Sequence, residues 1–168
     1  MDLTKFEELD VIIICGLPRS GKSHFAKKFF ESTDRSRINR GELRKSLYTM
    51  AHFGKEWRET DFNNEDEVLV KHVERKVIEH YIHNNRKIII DNTSVTKESR
   101  KNYISIAKHK NKSLGVIFIE NPVDLCMKRN KESGDPVPER VITNLYVKTE
   151  KPEKSEGFKE ILIVDDYK

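Results

Sequence analysis

The stretch Val11-Ile12-Ile13-Ile14-Cys15-Gly16-Leu17-Pro18-Arg19-Ser20-Gly21-Lys22-Ser23-His24 decides the fold. Its first five residues are apolar and mostly β-branched. A strand with one wet face would alternate, so an unbroken run reads as a strand buried on both faces. Gly16 to Ser23 follow the pattern G-x-x-x-x-G-K-[ST], and a helical segment, Lys22 to Phe30, comes next. Strand, loop and helix in that order are the context in which this motif holds phosphate. The glycines let backbone N–H groups turn inward, and the helix N-terminus adds the positive end of its dipole. Gly16, Pro18, Arg19, Ser20, Gly21, Lys22, Ser23 and His24 are therefore expected to surround a nucleoside triphosphate, with ATP as the donor. Lys22 should reach the β- and γ-phosphates, and the Ser23 hydroxyl should join the shell of a magnesium ion.

Three more continuous apolar runs follow: Ile88-Ile89-Ile90, Leu114 to Ile119 and Ile161 to Val164, with a weaker strand at Ser36-Arg37-Ile38. Helical patterns lie between them. Val70, Val73, Val77 and Tyr81 predict a helix from about Asn64 to Ile82, ended by Asn84-Asn85. Ser94 to Lys108 is a second, with Tyr103, Ile104 and Ala107 facing inward. Val137, Val141, Leu145 and Tyr146 form the stripe of a third, started by Pro136 and Pro138. Strands alternating with helices specify an α/β domain: a mostly parallel central sheet of about five strands, helices on both faces, and a helical lid over about residues 126–150. One domain over residues 1–168 is expected, without an attached phosphatase or ligase domain.

Ile88-Ile89-Ile90 ends in Asp91-Asn92-Thr93. In open α/β sheets the carboxyl ends of strands face the ligand crevice, so Asp91 is expected beside the loop, holding magnesium or the attacking group. A turn aspartate capping the next helix is the plainer reading.

Composition excludes several classes. Hydrophobic and charged residues each make up 36% of the 168, so the core is economical and the surface heavily solvated. The two cysteines, Cys15 and Cys126, lack any paired spacing and argue for a reducing compartment. No signal-peptide pattern opens the chain and no apolar run approaches ~18 residues, so a cytoplasmic protein without membrane contact is expected. The net charge of +4, from 32 basic and 28 acidic residues, is compatible with a polyanionic partner but does not demand one. The six histidines show no ligand spacing, so no metal beyond magnesium is assigned.

These residues resemble the 5′-kinase domain of polynucleotide kinases, the end-healing enzymes of phages, bacteria and eukaryotes. Asn39-Arg40-Gly41-Glu42-Leu43-Arg44 resembles that family's N-R-D-x-x-R stretch. Asp91-Asn92-Thr93 followed by Arg100 resembles its D-x-T/N…R stretch, and Lys128-Arg129-Asn130 with Val137-Pro138 resembles its lid. Gly157-Phe158 before the last strand fits as well. The resemblance covers nearly the whole chain, although several of these motifs recur among small ATP-dependent kinases. It implies an α/β phosphate-loop fold and transfer of the ATP γ-phosphate to the 5′-hydroxyl of a DNA or RNA end. It further implies that Arg129 clamps the phosphates from the lid, and that Gly41, Arg44, Asp91 and Asn92 border the acceptor. Arg44 and Arg129 also read as ordinary helix-surface charges.

The chain departs from the family at two places. Gly41 stands where the family carries its general-base aspartate. Glu42 is the next acid, about 100° further round if helical. Three routes stay open: Glu42 reaching in, Asp91 acting as base, or loss of most transfer. A positioned base typically supplies ~10²–10⁴-fold, so its absence predicts a slow kinase. A second lid arginine of some relatives is replaced by Ser133, with Lys131 nearby lacking the arginine fork. Trp57, Phe53 and Tyr48 lie among Lys55, Arg58 and His52, which reads either as a base-stacking platform or as ordinary packing. A small-molecule kinase and a nucleotide-binding module with little transfer are the competing functions.

Overall fold

The computed structural model describes residues 2–165 and Tyr167. Its elements run α1 (Thr4–Glu7), β1 (Val11–Gly16), α2 (Lys22–Phe30), β2 (Ser36–Ile38), α3 (Arg40–Ala51), α4 (Asn64–His83), β3 (Ile88–Asp91), α5 (Lys97–His109), β4 (Leu114–Glu120), α6 (Val123–Lys131), α7 (Glu139–Val147) and β5 (Glu160–Asp165). Short 3₁₀ turns sit at Glu59–Asp61 and Lys154–Glu156. The five strands form one sheet in the order β2-β3-β1-β4-β5, with every pairing parallel.

The continuous apolar runs are explained by two-sided burial. Val11, Ile13 and Cys15 pack into one cluster with Ile78 and Tyr103 from α4 and α5. Ile12 and Ile14 pack into the other with Phe25 and Phe30 from α2. β1 is central, and all six of its residues are buried. Its register places Ile14 opposite Asp91 of β3 and Gly16 opposite Ile119 of β4. The loop after β1 thus opens at the same sheet edge as the acid ending β3.

Local signals set most boundaries within a residue or two. Asn84 caps α4 and Asn85 turns the chain at φ 56°. α5 starts at Lys97 instead of Ser94, because the Thr96 side chain accepts from the Ser99 N–H and caps it. Two stripes need correction. α4 buries Val70, Glu74, Ile78 and Ile82, so the fully buried face lies about one residue from the expected one, with Val77 and Tyr81 at its flank. In α7 Ile142 is the buried residue, while Val141 and Tyr146 are exposed and Val137 precedes the helix. α6 and α7 form the helical pair expected near the C-terminus. The Asn130 amide closes the loop between them, bonding Val137 through both its N–H and its carbonyl. No helix is long and apolar enough to cross a membrane among the described residues.

Candidate active site

The loop between β1 and α2 has two positions that only glycine fills. Gly16 has φ 149°, and a Cβ there would stand 2.5 Å from the Ile119 carbonyl oxygen. Gly21 has φ 98°, and a Cβ would stand 3.0 Å from the Tyr167 ring. β4 and Tyr167 therefore press on the loop from outside and hold its N–H groups turned inward. Asn121, directly after β4, donates from its amide to the carbonyls of Ser20 (2.8 Å) and Tyr167 (2.7 Å), fixing the loop further. The Tyr167 hydroxyl stands 3.0 Å from His24 Nδ1.

Lys22 is buried and donates to the Leu17 carbonyl at 2.6 Å. Burial pushes its pKa down, and the nearby Asp91 charge opposes that. A desolvated ammonium with one carbonyl partner is primed to gain from an anionic ligand. Arg129 of α6 reaches the loop, donating to the carbonyls of Arg19 (3.4 Å) and Tyr167 (3.1 Å). Arg19 itself donates to the Asp135 carbonyl at 2.8 Å, and the Asp135 carboxylate accepts from the Glu59 N–H at 3.1 Å. The α6–α7 loop therefore spans the cleft mouth from the phosphate loop to the 3₁₀ turn.

Asp91 is fully buried at the end of β3. Its Oδ2 accepts from Arg37 Nε (2.8 Å) and Asn39 Nδ2 (3.2 Å), and Arg37 Nη2 stands 2.7 Å away. Its Oδ1 has no hydrogen-bond partner. One oxygen anchors the group, and the other is buried without a bond. Burial disfavours the Arg37 charge, yet bonds to Glu42 and Asp91 outweigh it and raise the Arg37 pKa. Glu42 takes the far side of that guanidinium in a fork of 2.8 and 3.1 Å, so its carboxylate is held by Arg37, and it is absent from the cleft lining.

The cleft measures about 950 Å³ and is lined by Pro18, Arg19, Gly21, Lys22 and Ser23 on the donor side and by Asn39, Gly41, Arg44 and Lys71 on the other, with Asp91 between. Arg44 is built in: Glu67 accepts from its Nε at 2.8 Å, and its guanidinium lies 5.6 Å from the Trp57 ring centroid. Trp57 is buried and so unavailable to stack bases, while Tyr48 stacks on His52 at 3.9 Å. Trp57 and Tyr48 therefore serve packing, while Phe53 is fully exposed. Asn92 supports instead of facing outward: it donates to Glu74 (2.5 Å) and Tyr103 (2.9 Å) and accepts from the Arg40 N–H (2.9 Å), positioning the start of α3. Arg100 is fully buried, paired bidentately with Glu156 and donating to the Ser94 and Glu150 carbonyls. It ties α5 to the segment after α7.

Sequence reasoning missed Glu74, Arg37 and Asn121. Glu74 sits inside an apolar stripe, where a carboxylate is unexpected unless paired. Arg37 faces Asp91 only through strand pairing. Asn121 follows a buried strand at its carboxyl end, the same signal that singled out Asp91. Ser23 and the free Asp91 oxygen line one cleft, and hydroxyl plus carboxylate oxygens suit a magnesium ion that completes its shell with phosphate and water.

Strand order, phosphate loop and the acid ending the neighbouring strand define a phosphate-loop kinase-like domain, as the sequence resemblance implied. The chain belongs to the family described as chromatin associated protein KTI12, whose model matches residues 9–162. It is 29% identical over 142 residues to the L-seryl-tRNA(Sec) kinase of Methanococcus maripaludis, a match over 84% of this chain and 53% of that protein. The chain thus spans about half the length of this curated relative. Among solved structures it resembles a chain of the Pnkp1/Rnl/Hen1 RNA repair complex, with TM-score 0.66 and 20% identity over 82% of this chain and 43% of that one. It also resembles Chaetomium thermophilum Kti12 in complex with ADP-AlF3, with TM-score 0.63 and 18% identity over 93% and 89%. At these identities the two structures speak for the fold.

Proposed function

We propose that this chain is an ATP- and magnesium-dependent phosphotransferase acting on a hydroxyl carried by a polynucleotide, with a 5′-hydroxyl end as the leading acceptor. The observation that carries the reading is the buried Asp91, anchored through one oxygen and free at the other, in a cleft shared by the phosphate loop and Arg44. A relative named L-seryl-tRNA(Sec) kinase supports a nucleic-acid-linked substrate.

Lys22 and the loop N–H groups bind and neutralise the donor phosphates, with Arg129 entering from the lid. Arg44 and Lys71 hold the acceptor phosphate. The acceptor O–H gives its proton to Asp91 Oδ1 as its oxygen bonds to the γ-phosphorus. The bond to the β–γ bridging oxygen breaks, and ADP leaves with that electron pair. Magnesium, held by the Ser23 hydroxyl, would neutralise charge on the donor phosphates, which leaves Asp91 Oδ1 to the acceptor proton. Of the other cleft carboxylates, Glu74 is consumed by Arg40, Asn92 and Tyr103, Glu98 is turned toward Lys101, and Glu59 belongs to the 3₁₀ turn at the cleft mouth, where burial and the Asp135 charge raise its pKa.

Gly41 favours a second reading, a nucleotide-binding module with weak transfer, in which Asp91 serves the metal alone. Radiolabelled ATP offered with 5′-hydroxyl RNA, 5′-hydroxyl DNA and seryl-tRNA separates the two. Label on a polynucleotide acceptor, lost in Asp91→Asn while ATP affinity persists, is the expected result. ATP hydrolysis without label on any of the three acceptors would overturn the kinase reading.

A further inference from the structure

A second concavity lies outside the cleft, along α5. It measures about 670 Å³ and is lined by Lys97, Glu98, Lys101, Ile104, Lys108 and His109 among others. At 100° per residue, Lys97, Lys101 and Lys108 fall within about 40° of one another around the helix axis, spread over ~16 Å of its length. Buried Ile104 lies between them as an apolar floor. From Ser99 to Ile119 the chain carries Arg100, Lys101, Lys108, Lys110 and Lys112 and no carboxylate.

The acids that do reach this groove are largely answered. Glu156 is held bidentately by the buried Arg100. Glu98 stands 3.7 Å from Lys101, and Glu153 stands 2.9 Å from Lys97, both pairs on the surface. Exposed pairs contribute little and exchange readily for phosphate. Lys108 and His109 are exposed, and no ion pair involves either of them among the described residues.

The groove also joins the active site. Glu98 lines both spaces, and its neighbours Ser99 and Asn102 line the cleft. α5 follows β3, so its first turn lies beside Asp91 and its last turn lies away from the reacting end.

We propose that the α5 groove is the track of a single-stranded polynucleotide leaving the cleft, its phosphates lying on Lys97, Lys101 and Lys108. This deepens the kinase reading and rests on it for the identity of the acceptor. The track is sequence-independent, because phosphate contacts position a strand without reading its bases.

The test uses the whole chain and a fluorescein-labelled single-stranded RNA dodecamer with a 5′-hydroxyl, followed by anisotropy without nucleotide across a salt series. Lys101→Glu/Lys108→Glu is compared with Lys27→Glu/Lys28→Glu, which makes the same charge change at exposed positions on α2. The groove variant should bind at least about tenfold more weakly near 50 mM salt, and its log–log salt slope should shrink by about 1.4, at ~0.7 per lost contact. The α2 variant should keep the wild-type slope. In the transfer assay the groove variant should raise KM for the dodecamer and leave KM for a dinucleotide unchanged. Equal weakening by both variants would overturn the track, as would capture of polyglutamate in place of RNA. RNA binding that depends on the groove, with no label transferred, would keep the track and sink the kinase reading.

Discussion

Replacing Gly41 by aspartate tests the acceptor side of the site directly. Gly41 is the second residue of α3, after the cap Asn39, and it lines the cleft. A Cβ there meets only Asn39 Oδ1, at 3.1 Å, so a carboxylate fits if the cap gives slightly. Relieving a helical glycine and placing an acid in the first turn gain roughly 0.3–1 kcal/mol. Disturbing the Asn39 bond to the Glu42 N–H would cost about 0.5–2 kcal/mol. Stability should therefore change by between a gain of about 0.5 kcal/mol and a loss of about 1.7 kcal/mol, at most roughly 3–7 °C in Tm. The chemical gain is larger. A positioned base is worth ~10²–10⁴-fold. With Asp91 already serving, at least a tenfold rise in transfer is expected, about 1.4 kcal/mol off the barrier. Single-turnover transfer from radiolabelled ATP to 5′-hydroxyl RNA measures it, with ATP affinity and Tm as controls. A folded, ATP-binding Gly41→Asp protein with unchanged transfer would refute the placement of the acceptor over α3.

Glu42→Gln should alter transfer by less than about threefold, whereas Asp91→Asn should lower it at least about 100-fold; equal losses in the transfer assay would return Glu42 to the role of base. Arg100→Met leaves Glu156 buried and two carbonyls without their donor, so denaturant unfolding should show a loss of roughly 3–5 kcal/mol, with a smaller loss for Glu156→Gln. Burial, with the Glu74 charge beside it, raises the Tyr103 hydroxyl to about 12 from 10.0. An acid with a raised folded pKa contributes stability below its unfolded pKa and loses it above, so this contribution should vanish as pH rises from 10 toward about 12. Tyr103→Phe should flatten that alkaline limb, measured by urea midpoints across the range. Burial likewise pushes the Cys15 thiol up to about 12, so a thiol reagent should label it only in denaturant.

Read without the structure, the chain already carries the strand runs, the phosphate loop and the acid ending β3. Each is written in local order: an unbroken apolar run, glycines at fixed spacing, a carboxylate at a strand end. Local order also set the helix boundaries, through Asn39, Thr96 and Asn84. What Asp91 can do was decided by tertiary structure. Arg37 precedes it by 54 positions and reaches it because β2 pairs beside β3, leaving one carboxylate oxygen free and drawing Glu42 aside. Asn92, expected at the border of the acceptor, lines the cleft but is also engaged by Glu74, and Arg100 is engaged by Glu156, for the same reason. A buried charge must find its partner in space, and no spacing along a chain reveals which partner it finds.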